Sequence, residues 1–232
     1  MALPSLSSSK YELILPSTGE KVEYRPFLVR EEKLLLVAQS TGENEDILRA
    51  VEEIISACTF EKLNPKVLPF FDLEYVFLQI RAKSVGEVAR VKLTCPDDME
   101  TKVDVEINLT EVECKREVGH DSNIKLTDDV GIVMNYPRLE TMKSFATDDA
   151  DSVFGLIKGC VSQIYDNNAV YDKADMNEKD LDEFIESMSH QQFEKVQQFF
   201  ATMPKVKHVV NVKNPNTGVE SEIVLEGMQS FF

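Results

Sequence analysis

Three times along this 232-residue chain, two stretches of alternating apolar and polar side chains flank a short run of turn formers. Successive side chains point to opposite faces of a strand, so each such pair reads as a β-hairpin with one apolar face that must be covered. In the first hairpin, from Lys10 to Phe27, Tyr11, Leu13 and Leu15 lead into Pro16-Ser17-Thr18-Gly19, and Val22, Tyr24 and Pro26 return. In the second, from Glu87 to Leu109, Val91 and Leu93 precede the turn Cys95-Pro96-Asp97-Asp98, and Val103, Val105, Ile107 and Leu109 follow it. In the third, the strands Val206 to Val212 and Val219 to Leu225 enclose Asn214-Pro215-Asn216-Thr217-Gly218. The likeness of Pro16-Ser17-Thr18-Gly19 to Pro215-Asn216-Thr217-Gly218 is either a weak internal repeat or the common chemistry of hairpin turns.

Between the hairpins the apolar period changes from two residues to that of a helix. Arg30 to Gln39 reads as one helix, broken at Thr41-Gly42. A second carries Ile47, Leu48, Val51, Ile54, Ile55 and Cys58 on one stripe, with Asn44 or a neighbour as N-cap. Pro69 then opens a segment, Phe70 to Ile80, that is apolar nearly all round and so predicts a helix buried on most sides, in the core or against a partner. Glu111 to Asn123 is charged and poorly patterned, which predicts a loop, and Ile124 to Tyr136 holds a further strand. Leu139 to Phe145 and Ser152 to Tyr165 read as helices, the second with Val153, Leu156, Ile157, Cys160, Val161 and Ile164 on one stripe and a break at Asp166-Asn167-Asn168. Asn177 caps a helix bearing Leu181, Phe184, Ile185 and Met188. Ser189 and Gln192 form a capping box for another, which ends at Pro204.

Charge excludes some functions. Asp plus Glu number 41 against 25 Lys plus Arg, a formal charge of −16, which argues against nucleic acid as a partner and favours a basic protein. Cys58, Cys95, Cys114 and Cys160 contain no close pair, so neither a zinc motif nor a redox motif is expected, and the thiols read as buried groups in a reducing compartment. The Ser-rich first ten residues lack the apolar core of a signal peptide, and no apolar run reaches the length of a membrane span. His120, His190 and His208 lie in no catalytic or metal-ligand motif. The acids at Asp172, Asp175, Asp180 and Asp182 invite comparison with a calcium loop. A loop starting at Asp175 fails, because Lys179 and Asp180 stand where a ligand and a glycine are needed. No catalytic residue, metal or cofactor is therefore expected, and the chain reads as a non-enzyme.

Aromatic clusters supply the binding candidates. Phe70, Phe71, Leu73, Tyr75, Phe199, Phe200, Phe231 and Phe232 suit an interface or a core equally, and the terminal Phe pair is expected to dock on the domain or on a partner.

Several segments together resemble a family of small baseplate-hub and hub-assembly proteins of T-even-like contractile-tailed bacteriophages. They are Leu13-Ile14-Leu15-Pro16-Ser17-Thr18-Gly19 with Tyr24-Arg25-Pro26-Phe27 and Glu31-Glu32-Lys33-Leu34-Leu35; Cys58-Thr59-Phe60 through Leu68-Pro69-Phe70-Phe71-Asp72-Leu73-Glu74-Tyr75 to Ile80-Arg81-Ala82-Lys83-Ser84-Val85-Gly86-Glu87; and Phe199-Phe200-Ala201-Thr202-Met203-Pro204 with Asn214-Pro215-Asn216-Thr217-Gly218. The stretch from Glu111 to Asn123 carries none of it. The resemblance implies a non-enzymatic role in building the hub, as a structural component or as a transient tail-assembly chaperone absent from the virion. It implies other tail or hub proteins as partners, the tape measure among them, in a hetero-complex or homo-oligomer. It implies work in the host bacterial cytoplasm during assembly and a place in the virion tail baseplate. The fold expected is α+β: hairpins packed with a helical body, and a helical C-terminal subdomain ending in a hairpin. Residues 1–136 form the N-terminal region with two hairpins and 137–232 the mainly helical region, either distinct or packed as one domain.

Overall fold

The computed structural model describes residues 8–144 and 150–231. The fold is α+β, and the chain groups into two compact units: residues up to Lys115 together with those from Lys205 onward, and Arg116–Pro204 between them. Position 136 thus falls inside the second unit. The reason is a long-range pairing: strand β5 (Glu113–Lys115) lies antiparallel to β10 (Lys205–Lys213), with Lys115 opposite Lys205, so the third hairpin closes a sheet begun before the insertion. The loop expected over Glu111 to Asn123 contains that short strand.

In the first unit, β1 (Tyr11–Ile14) pairs with β2 (Lys21–Tyr24), and Leu13 opposite Val22 is buried. Helices α1 (Val29–Thr41), α2 (Asn44–Cys58) and α3 (Phe70–Ser84) follow, with a 3-10 turn at Pro65–Val67. Leu28, at the N-cap of α1, has no side-chain oxygen, so Glu31 supplies the cap, its Oε2 accepting from the Leu28 N–H at 2.6 Å. Glu43 rather than Asn44 takes the N-cap position of α2, whose Val51, Ile54, Ile55 and Cys58 are wholly buried. Around α3, Phe71, Leu73, Val76, Phe77, Leu78 and Ile80 are all buried in the chain's own core. At about 1.5–3 kcal/mol for each large apolar side chain, this helix is a dominant source of the unit's stability.

The second hairpin is β3 (Val88–Thr94) with β4 (Lys102–Asn108), and the third is β10 with β11 (Glu220–Glu226), the edge strand of the order β11-β10-β5. The chain then forms a 3-10 turn, Met228–Phe231. The recurrent turn sequences have a shared geometry. The Leu15 and Asn214 amides donate to Glu20 and Val219 carbonyls, and the Gly19 and Gly218 amides donate back to Leu15 and Asn214. Both glycines are left-handed, at φ +74° and +76°, a region glycine enters without penalty. The middle hairpin is one residue longer, and Met99 occupies the equivalent left-handed position at φ +60°.

In the second unit, β6 (Asn123–Lys125), β7 (Gly131–Met134), β8 (Val161–Tyr165) and β9 (Val170–Asp172) form an antiparallel sheet in sequence order. Helices α4 (Leu139–Ser144), α5 (Ala150–Cys160), α6 (Glu178–Glu186) and α7 (His190–Thr202) complete it. The helix expected over Ser152 to Tyr165 stops at Cys160, and the chain continues directly as β8. Val161 and Ile164 satisfy a helical stripe and are buried, but here they face the core from a strand paired with β7, Ile132 opposite Ile164. Their β-branched side chains favour that conformation. The core combines Ile124, Ile132, Met134, Ile157, Cys160, Val161, Ile164, Leu181, Ile185, Val196 and Phe199. Asn177 caps α6 by accepting from the Asp180 N–H at 2.8 Å, and Ser189 and Gln192 form the capping box of α7.

Candidate interaction surfaces

Of the eight aromatic and apolar candidates, Phe71, Leu73, Phe199 and Phe231 are buried within the chain, and Phe70, Tyr75 and Phe200 are half-buried. Phe232 lies outside the described residues. Those on α3 and Phe231 belong to the first unit, where the C-terminal turn packs on α3 and the Met228 N–H donates to Glu74 at 2.8 Å. Phe199 and Phe200 belong to the second unit. There Phe199 stacks with Tyr136, and both rings meet His120. His120 lies 2.9 Å from Thr202 Oγ1 and 3.0 Å from the Tyr136 hydroxyl, so this histidine ties its loop to the end of α7. Burial, helped by Arg116, holds its pKa below the usual imidazole value.

The polar interior is committed to the fold. Glu31 accepts from Arg25 at 3.0 Å and Arg30 at 2.7 Å. Burial works to raise its pKa, but these bonds and the Leu28 amide leave it below the ordinary carboxylate value. Asp72 accepts the Ser17 amide at 3.0 Å and its hydroxyl, docking the first turn on α3, and burial raises its pKa. Asn214 donates to Asp97 at 3.0 Å and to Asp98 at 2.9 Å, locking the second and third turns together. Burial drives the Cys58 thiol up to about 11 and those of Cys114 and Cys160 up to about 12, so they stay protonated near neutrality. Among the described residues, no group of three His, Cys, Asp or Glu side chains is placed to hold a metal ion, and no helix is long and apolar enough to cross a membrane.

The open surface is different. On α1, Leu36 and Val37 lie seven and eight positions after Val29, on a common face with it, and the three are 59%, 54% and 79% exposed. Neither Val209 on β10 nor its cross-strand neighbour Val224 is covered. The second unit has two grooves on either side of α6. One, of about 710 Å³, is lined by Phe154, Gly155, Leu181 and Ile185 with Lys158 and Lys173, and Lys158 pairs with Asp182 at 2.5 Å. The other, of about 400 Å³, has Val130, Ile164, Tyr165, Tyr171, Met176, Leu181 and Phe184 in its wall, with Asp166, Asp175 and Asp180 beside them. Sequence reasoning missed this groove. Its apolar residues come from separate elements, and only the acids stand out along the chain, as a failed calcium loop.

These features define an acidic α+β protein with apolar open surfaces and a polar interior spent on its own packing. The sequence profile of a family described as T4 bacteriophage base plate protein matches residues 8–232, and the chain belongs to that family. Membership gives it a role in the phage tail baseplate, with other baseplate proteins as its partners. No curated protein and no solved structure matches it.

Proposed function

We propose that this baseplate protein works without catalysis, as a component of the central hub or a factor that assembles it, through protein–protein contacts made first in the host bacterial cytoplasm. One observation carries the reading: the ionisable groups of the interior hold turns and helix ends, while the grooves and the α1 face offer apolar side chains to a partner. Exposed apolar surface of this kind marks contact sites. The acid surplus is uneven, with 17 Asp and Glu against 8 Lys and Arg in Arg116–Pro204, a formal −9 of the total −16. That imbalance favours a basic partner for the second unit, and it suits equally a chaperone that shields a tail protein and leaves before the particle is complete.

Mass spectrometry of purified particles, beside an affinity pull-down from infected cells, separates these roles. A small whole-number ratio to hub proteins in virions means a structural component. Absence from virions with a tail protein recovered in the pull-down means a chaperone. Absence from both refutes the hub reading.

A further inference from the structure

The smaller groove of the second unit has an apolar floor and an acidic rim with no cation in its lining, although Asp166 accepts the Asn168 and Ala169 amides and Asp180 accepts the Asn177 side-chain amide. Ile164 and Leu181 are buried beneath it, Phe184 is half-buried, and Tyr171 stands exposed at its side. From Asp166 to Glu186 the chain carries eight Asp and Glu against two Lys, and both lysines are engaged elsewhere. Lys173 donates to the Lys158 and Gly159 carbonyls at 2.5 and 3.0 Å, and Lys179 pairs with Glu183 at 3.5 Å. Among the described residues, none of Asp166, Asp175 and Asp180 has a Lys, Arg or His partner. The larger groove also carries acids, Glu178, Asp182 and Glu186, but it sets Lys158 and Lys173 among them, and Lys158 pairs with Asp182.

The three rim carboxylates do not converge on a metal position. They are separate charges around an apolar depression, which calls for an apolar side chain with cations spaced on either side of it. We propose that this groove docks a basic segment of another baseplate protein. One aromatic or large aliphatic side chain sits over Leu181 and Phe184, and flanking Lys or Arg side chains meet Asp166, Asp175 and Asp180. A second copy of this chain is poorly matched, because it brings a charge of −16 to an already acidic site. The inference rests on the reading of the protein as a non-catalytic binding component.

The full chain is titrated with a short fluorescein-labelled peptide carrying one central Phe between pairs of lysines, read by anisotropy. D175N/D180N and, separately, Y171S should each weaken binding about tenfold, and the control E32Q/E45Q, which removes two exposed acids from the first unit, should leave it within about twofold. Raising ionic strength from about 0.1 M to about 1 M, which shortens the Debye length from about 10 Å to about 3 Å, should weaken but not abolish it. A Phe-to-Ala peptide should bind about tenfold more weakly. Equal losses in rim and control variants, or indifference to the peptide's Phe, means general attraction to an acidic surface and overturns the proposal. The pull-down repeated with D175N/D180N/Y171S keeps the two readings apart. If wild type and variant recover the same tail protein equally, the groove is refuted and the hub reading stands. If wild type recovers none, the hub reading fails while the peptide titration still decides the groove.

Discussion

Replacing Glu74 with Gln should stabilise the protein above neutral pH and leave it unchanged in acid. Glu74 is only 7% exposed, in the second turn of α3, and its Oε1 accepts the Met228 N–H at 2.8 Å. Burial pushes its pKa from 4.5 up to about 7, with the neighbouring Glu226 carboxylate on β11 adding to the rise. Cys114 on β5 faces the same region as a protonated thiol, and burial holds the pKa of Asp72, at the start of α3, above its ordinary value as well. A carboxyl whose folded pKa lies above its unfolded value contributes stability that is fully present below the unfolded pKa and is lost as pH rises through the folded one. The window therefore runs from about 4.5 to about 7. Each tenfold change in proton affinity is worth about 1.4 kcal/mol, so ionising Glu74 inside the fold costs about 3 kcal/mol. Gln keeps an oxygen for the Met228 amide and has no proton to lose. Urea denaturation followed by far-UV circular dichroism from about pH 5 to about pH 8 should show two curves that coincide in acid and diverge by up to about 3 kcal/mol, with Gln the more stable. Parallel curves, or a Gln variant less stable at about pH 8, would refute the assignment of a buried protonated carboxyl.

Three further substitutions test the packing. Phe231 is fully buried, so Phe231→Ala should cost about 3–5 kcal/mol and lower Tm markedly, whereas a detachable interface residue would leave Tm unchanged. Met99 is exposed with φ +60°, so Met99→Gly should raise stability by about 1 kcal/mol in chemical denaturation. A Cβ on Gly131 would come within 2.2 Å of the Tyr165 ring, so Gly131→Ala should cost about 1–3 kcal/mol and displace the Tyr165 hydroxyl from Asn123. The same change in a Tyr165→Leu background should cost less, which a double-mutant cycle measures.

Where local pattern decides conformation, the sequence was readable. The three hairpins, the buried helix from Phe70, the Asn177 cap and the Ser189–Gln192 box all depend on residues within a few positions of one another. Where the choice was tertiary, it was not. Val161 and Ile164 fit a helical stripe and a strand alike, and only pairing with β7 selects the strand. The pairing of Lys115 with Lys205 has no local signal, so the grouping of the third hairpin with the first unit was invisible. The Phe clusters were ambiguous for a related reason: Phe71 and Phe199 would look the same in sequence on a surface, and their burial follows from what other elements bring against them. The groove beside α6 was beyond reach, since Ile164, Tyr171 and Phe184 meet only in three dimensions.

The insertion of one unit within the other sets an order of events on the ribosome. Between β5 and its partner β10 lie the 89 residues of Arg116–Pro204, which take roughly 4 to 18 s to make at about 5–20 residues per second. The second unit is continuous and completes its set of strands and helices within that interval. The first waits. Its α3 has no Met228 amide for Glu74, and β5 has no neighbour in β10, until the last part of the chain emerges. The third hairpin and the C-terminal turn therefore close last, and for those seconds a helix whose Phe71, Leu73, Val76, Phe77, Leu78 and Ile80 are all buried in the finished fold lacks part of its final cover.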